Sequence, residues 1–357
     1  MSAPARRRVY FISGFDPRGV AFYHRLYREE ARKQAKVNGA SFEVGARRRI
    51  GAIHHGWTVN ARWPEGAVEV DYRFLAWDDV IRDRWTKNWA HCISQYLVRI
   101  PFFVFSRAIL KIGQWSNRTQ LFAALIPLLI VAIPALCAAL VWTWLGWIAG
   151  LASFGIAAWL IYDLSQRFRL VWLLNIYVFC YTWGMGAPPD LVKRIDELAD
   201  IIAATETNEP SSDTLLAGHS VGALVAVAVT ARLLQRGIKI KLLTVGGCMP
   251  FVGIMPRAVS FRSELATLAS NQELDWLDVC SLADLMCFPR VDAVEICGVK
   301  RLFPLTQRRI RARFVKMFSP ESYARIRADK RRLHFQYLMA GELDNEYDFF
   351  RLTAGPK

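Results

Sequence analysis

The sequence predicts an α/β fold, a mainly parallel sheet flanked by helices and interrupted by a two-helix transmembrane hairpin. Three observations lead there. Short apolar runs alternate with amphipathic ones in both the first and last thirds of the chain, the grammar of a sheet whose strands are joined by helical crossovers. Between them, Leu121 to Tyr162 runs 42 residues without an Asp, Glu, Lys, Arg or His, about twice what one membrane span needs. Finally, 53% of the 357 residues are hydrophobic against 22% charged, which excludes a disordered or collagen-like chain.

Taken in order, Arg8–Ser13 is an apolar run ending at Gly14 and reads as a buried strand. Pro17–Lys36 reads as a helix. Phe42–Arg49, His55–Trp63 and Val68–Trp77 are strand-like and are separated by glycine-containing turns. After Pro188-Pro189, Leu191–Ala204 is an amphipathic helix, Thr214–Ala217 a strand and Ala223–Gln235 a helix closed by Gly237. Ile240–Val245, Trp276–Ser281 and Arg309–Phe318 complete the predicted strands. The domain organisation is therefore 1–90 and 187–357 as two parts of one catalytic-type α/β domain, with 91–186 inserted between them.

The insertion carries two spans, about 121–141 and 145–162, turning at Trp142-Thr143-Trp144-Leu145-Gly146-Trp147. Tryptophan favours the headgroup level, and Gly146 permits the turn. Arg107, Lys111 and Arg118 precede the spans, Arg167 and Arg169 follow them, and the turn has no cation. The positive-inside rule then sets both chain ends and the catalytic domain in the cytoplasm. The apolar run after Met1–Arg8 is too short for a signal peptide. Leu97–Trp115 and Leu170–Trp183 read as interfacial helices flanking the spans, a greasy collar for a pocket opening at the bilayer.

Charge agrees with a membrane setting. The chain has 46 Lys+Arg against 31 Asp+Glu, a net +15, which suits an anionic leaflet. The basic runs Arg47-Arg48-Arg49 and Arg308-Arg309 come without any nucleic-acid-binding module, so no nucleic-acid partner is expected. Seven cysteines show no C-x-x-C pair and read as reduced structural thiols. His54-His55 lie on opposite faces of a strand and cannot chelate together. Neither a P-loop nor G-x-G-x-x-G is present, and no metal or cofactor is implied.

The chemistry is carried by Gly218-His219-Ser220-Val221-Gly222, a G-x-S-x-G between a predicted strand and helix. A nucleophile elbow needs that context, because Gly218 and Gly222 remove Cβ atoms where strand and helix meet. A serine nucleophile needs a base, and the base an orienting acid, in the chain order Ser, acid, His. Only His334 follows Ser220 among histidines, so it is the base. Asp284, just past the end of a predicted strand, is the favoured acid, with Asp275, Asp278, Asp292 and Glu295 as alternatives. The oxyanion donors expected are the backbone N–H groups of Val221 and of Phe15, beside Gly14.

With these residues the chain resembles a serine hydrolase of the α/β-hydrolase superfamily, on the lipase and esterase side, over roughly residues 8–90 and 187–350. That resemblance implies a mostly parallel central sheet, Ser220 as nucleophile, His334 as base, Asp284 as acid, and a membrane block placed where the fold accepts lid insertions. The chain departs from it in having Ser13-Gly14-Phe15-Asp16 instead of an H-G-G-G oxyanion motif, and in starting its sheet at the N-terminus. The expected activity is a membrane-anchored ester hydrolase acting on an apolar acyl or lipid ester. An acyltransferase with the same triad is a second reading, and a catalytically idle membrane scaffold a third.

Overall fold

From Ala5 to Ile12 the chain passes from three arginines into Val-Tyr-Phe-Ile, and its burial rises in step, so the strand (β1) enters from solvent and ends in the core. The structure, a computed structural model, describes residues 4–86, 88–99, 118–167, 170–301 and 307–356. They divide into two compact units, one of Met1–Asp83 with Trp183–Lys357 and one of Arg84–Thr182.

In the first unit β1 sits mid-sheet. It pairs in parallel with β5 (Gly66–Leu75) on one side and β6 (Thr214–His219) on the other. Parallel pairing continues outward through β7 (Lys241–Val245), β8 (Trp276–Cys280) and β9 (Gln307–Arg311). The opposite edge is antiparallel: β4 (His54–Trp63) pairs with β5, and β2 (Ser41–Val44) and β3 (Arg48–Arg49) pair with β4. The order is β2-β4-β5-β1-β6-β7-β8-β9, with β3 beside β4. This is a mixed α/β fold with a mostly parallel sheet and flanking helices.

Packing follows composition. The helix Val221–Gln235 is apolar on nearly all sides and all but three of its residues are buried, as expected for a helix in the core rather than at its surface. On the other half of the sheet, helix α1 (Val20–Asn38) buries Tyr23 and Tyr27. The Trp57 and Tyr72 rings stack there with centroids 4.7 Å apart, worth about 1 kcal/mol beyond the area they bury. Asp213, just before β6, accepts from Arg7 Nε and Lys241 Nζ, both at 2.8 Å, and so clamps three neighbouring strands at one end.

The last strand differs from expectation. It covers Gln307–Arg311 instead of Arg309–Phe318, and Phe314–Lys316 is a single 3-10 turn. Its register runs from Trp276↔Gln307 to Cys280↔Arg311, so pairing stops where β8 stops.

In the second unit, Arg118–Arg167 is helical except at Gly146, whose φ of 81° and ψ of 173° interrupt it. A Cβ on Gly150 would lie 3.0 Å from both the Ala138 carbonyl oxygen and Trp142 Cβ. Residues 12 apart on a straight helix are about 18 Å apart, so the chain turns back at Gly146. Among the described residues one stretch, Leu129–Ser165, is long and apolar enough to cross a membrane. Many of its large side chains are exposed, Trp144 by 85%, with Leu136, Leu140, Trp142, Trp147 and Trp159 at 60% or more.

The predicted interfacial helices fare differently. Beyond residue 99, Leu97–Trp115 lies outside the described residues. Leu170–Gly184 forms a helix, but Trp172, Leu174, Ile176 and Phe179 are buried, so it is no collar. An interfacial helix needs one polar face, and this helix is apolar on all sides. Leu174 packs with Cys92, Ile93 and Ile130, and the Asn175 amide holds Thr86 through both its oxygen and its nitrogen.

Candidate active site

Parallel strands bring their carboxyl ends to one edge of the sheet, where ligands of open α/β folds bind. Here that edge collects the loop after β1 (Gly14, Phe15), the turn after β6 (Ser220) and the loop after β8 (Asp284). Ser220 has φ 57° and ψ −125° and, among the described residues, is the one non-glycine residue with positive φ. Such backbone costs on the order of 1–3 kcal/mol and persists only where its surroundings enforce it.

The surroundings are glycines. A Cβ on Gly218 would lie 2.5 Å from the Gly222 carbonyl oxygen, and one on Gly222 only 2.2 Å from the Ser13 carbonyl oxygen. Strand, helix and β1 loop therefore meet at distances no side chain permits. Gly14 does the same on the other side, where a Cβ would fall 2.9 Å from Ser220 Cβ. The expected oxyanion loop is thus in contact with the expected nucleophile. Trp77 Nε1 donates to the Ser13 carbonyl at 2.9 Å, and Asp16 is held by Arg18 and by the Tyr23 hydroxyl. Val221 opens the helix Val221–Gln235, where the first N–H groups have no intrahelical acceptor and the helix end favours negative charge. The N–H groups expected to meet an oxyanion, those of Phe15 and Val221, follow directly on the two residues in contact.

His334 Nδ1 lies 2.9 Å from Asp284 Oδ2, with both side chains buried. Burial pushes the Asp284 carboxyl up. The facing imidazole, the Met286 N–H and the Tyr337 hydroxyl outweigh it and hold the group below its ordinary value. The other candidate acids are elsewhere. Asp278, inside β8, bonds the Thr244 hydroxyl at 2.6 Å, and its burial raises it to about 6. Asp275 pairs with Arg308 and Asp292 with Arg301, while Glu295 lies exposed in the short helix capped by Asp292. His334 is the penultimate residue of the six-residue helix Lys330–Phe335 and is buried.

Two residues escaped the sequence reading. His219 Nε2 donates to the His334 carbonyl oxygen at 3.2 Å, and the two rings lie 5.0 Å apart. His219 immediately precedes Ser220, so this contact brings the His334 segment to the elbow. Desolvation lowers the His219 pKa to about 3, helped by the neighbouring His334. Tyr337 is the other. Its hydroxyl accepts from the Ser281 N–H at 2.8 Å, fastening the chain after His334 to the loop after β8. A histidine between glycine and serine was a visible signal for the first; nothing marked the second. Among the described residues no group of three or more His, Cys, Asp or Glu could hold a metal ion.

Residues 153–269 match a family model for the thioesterase domain. That family belongs to the α/β-hydrolase superfamily and its activity is hydrolysis of an ester or thioester. The match takes in Ser220 and its glycines, covers about a third of the chain, and ends before Asp284 and His334. No curated protein and no solved structure matches the chain.

The buried His219 makes a pH-dependent contribution to stability. Its folded pKa of about 3 lies below the ordinary 6.5, so as pH falls through that window the unfolded chain takes a proton that the folded chain excludes. Stability should drop from pH 6.5 downward by as much as roughly 1.4 kcal/mol per unit of pH from this group. Melting temperatures of the wild type and of His219→Gln between pH 7 and 4.5 check this. The variant should show the shallower pH dependence, and parallel curves would contradict it.

Proposed function

We propose that the protein is a membrane-anchored serine hydrolase of acyl esters or thioesters. The observation that carries the reading is the positive-φ Ser220 at a glycine-lined elbow, with the buried His334–Asp284 pair fastened to it through His219. Ser220 Oγ attacks the acyl carbonyl carbon while His334 accepts the hydroxyl proton. Negative charge on the carbonyl oxygen meets the N–H groups of Phe15 and Val221. As the intermediate collapses, the carbon–oxygen or carbon–sulfur bond to the leaving group breaks, and His334 returns the proton to the departing alcohol or thiol. Water then attacks the acyl-Ser220 ester by the same route, releasing the acid and restoring Ser220. Asp284 stays ionised throughout and orients the imidazole.

The thioesterase-domain match supports a thioester leaving group as well as the ester expected from the sequence. Membrane anchoring draws support from the exposed apolar surface of Leu129–Ser165. A helix of that composition in a soluble domain would be covered. With the turn at Gly146, the half from Leu129 is about 25 Å long and the half ending at Ser165 about 29 Å; the helical residues from Arg118 carry the first beyond a hydrocarbon core of about 30 Å. The flanking arginines and lysines favour both ends in the cytoplasm. An apolar acyl substrate, drawn from the same bilayer, fits that setting.

Labelling with a fluorophosphonate tests the catalytic half. The detergent-solubilised wild type should label at Ser220, Ser220→Ala should not label, and Asp284→Asn should lose about 10⁴ in kcat. Equal labelling of the wild type and Ser220→Ala would overturn the assignment. Alkaline carbonate extraction tests the other half. The full chain should stay with the membrane pellet, and release into the supernatant would exclude a spanning hairpin.

A further inference from the structure

Beside the loop that reaches Ser220 lies an open cleft of about 640 Å³, lined by Arg18, Arg25, Arg47, Arg82, His55 and Asp78 among others. Its acids are spoken for. Asp78 pairs with Arg82, and Asp79 turns to Arg194 through both oxygens. Arg18 is shared with Asp16. Arg25 and Arg47 make no ion pair among the described residues, and both are exposed. Of the Arg47-Arg48-Arg49 run, Arg48 bonds Asp71 and Arg49 the Gly51 carbonyl, so Arg47 alone is given to the cleft. Two positive charges are thus left over on one concave surface, which Val20, Phe22 and Ile53 also line. Burial, then Arg47 and Arg49, lower the His55 pKa, so its imidazole adds a neutral polar group.

The cleft is tied to the catalytic loop. Gly14 touches Ser220 and Arg18 lines the cleft. Arg18 is four positions along the chain from Gly14, so their Cα atoms are at most about 14 Å apart. The Arg18 guanidinium also lies 4.8 Å from the ring centroid of Phe335, next to His334. A guanidinium fork fits phosphate oxygens in pairs. Two unneutralised arginines call for up to two negative charges, which a phosphate supplies and a single carboxylate does not.

We propose that this cleft binds the phosphate of the acyl substrate, with Arg25 and Arg47 as its ligands, so that the substrate class is a phosphate-bearing ester or thioester. The inference rests on the hydrolase reading above. The phosphate could be presented by a soluble ester or by a lipid headgroup, and the test separates the two.

The comparison is between 1-butyrylglycerol 3-phosphate and uncharged 1-butyrylglycerol, using the full chain in detergent. The wild type should favour the phosphate ester at least tenfold in kcat/KM, mainly through KM, and Arg25→Gln/Arg47→Gln should abolish that ratio. Phosphatidate vesicles form the second arm. A preference there alone identifies the lipid headgroup as the source, and a preference for the soluble ester identifies the free phosphate ester. Calorimetric binding of glycerol 3-phosphate to Ser220→Ala stands apart from catalysis. Binding that the arginine substitutions remove supports the cleft even if no ester is hydrolysed. Equal ratios in wild type and double variant, or glycerol 3-phosphate binding that survives the substitutions, would overturn it.

Discussion

Ser220 can hold a positive-φ backbone because Gly14, Gly218 and Gly222 put no side chain where strand, helix and β1 loop meet, and the rest of the site depends on this. Gly218 and Gly222 let β6 and its following helix come within 2.5 Å of where a Cβ would stand. Gly14 lets the β1 loop close on the serine. The parallel register of β1 with β6 is what aims that loop at the elbow, since Ile12 pairs with Gly218. Add one methyl group to any of the three glycines, and loop, strand and helix must part.

A buried chain of polar contacts completes the arrangement. Asp284 holds His334, His334 receives His219 through its carbonyl, and Tyr337 fixes the following segment to Ser281. None of the imidazoles is left to water. The low pKa of His219 keeps that ring neutral beside His334, so it adds no charge there to oppose a proton on His334 in the proposed mechanism. Burial is therefore a constraint on protonation here as well as on packing.

Much of this was legible in the sequence because it is local. The elbow's glycines, the strand before it and the helix after it occupy consecutive residues, and His334 was chosen by being the last histidine. Asp284 needed the rule that the acid follows its strand, and the structure brings it, and not Asp278, to His334. What was not legible is long-range or depends on burial. The antiparallel edge made by β2, β3 and β4 arises from pairing that no local pattern states. Tyr337 acts through Ser281, 56 residues away. Leu170–Gly184 had the length of an interfacial helix, yet Trp172, Leu174, Ile176 and Phe179 are buried. The Arg47 run looked uniform along the chain, and the bonds of Arg48 to Asp71 and of Arg49 to the Gly51 carbonyl separate its members.

The central claim is that Ser220 carries the acyl group. Rapid acid quench of the full chain with a short-chain acyl thioester, followed by peptide mass mapping, reads it directly. The expected result is a mass increment of one acyl group on the peptide containing Ser220, absent in Ser220→Ala. An increment confined to a cysteine-bearing peptide, or hydrolysis that continues at full rate in Ser220→Ala, would contradict the account.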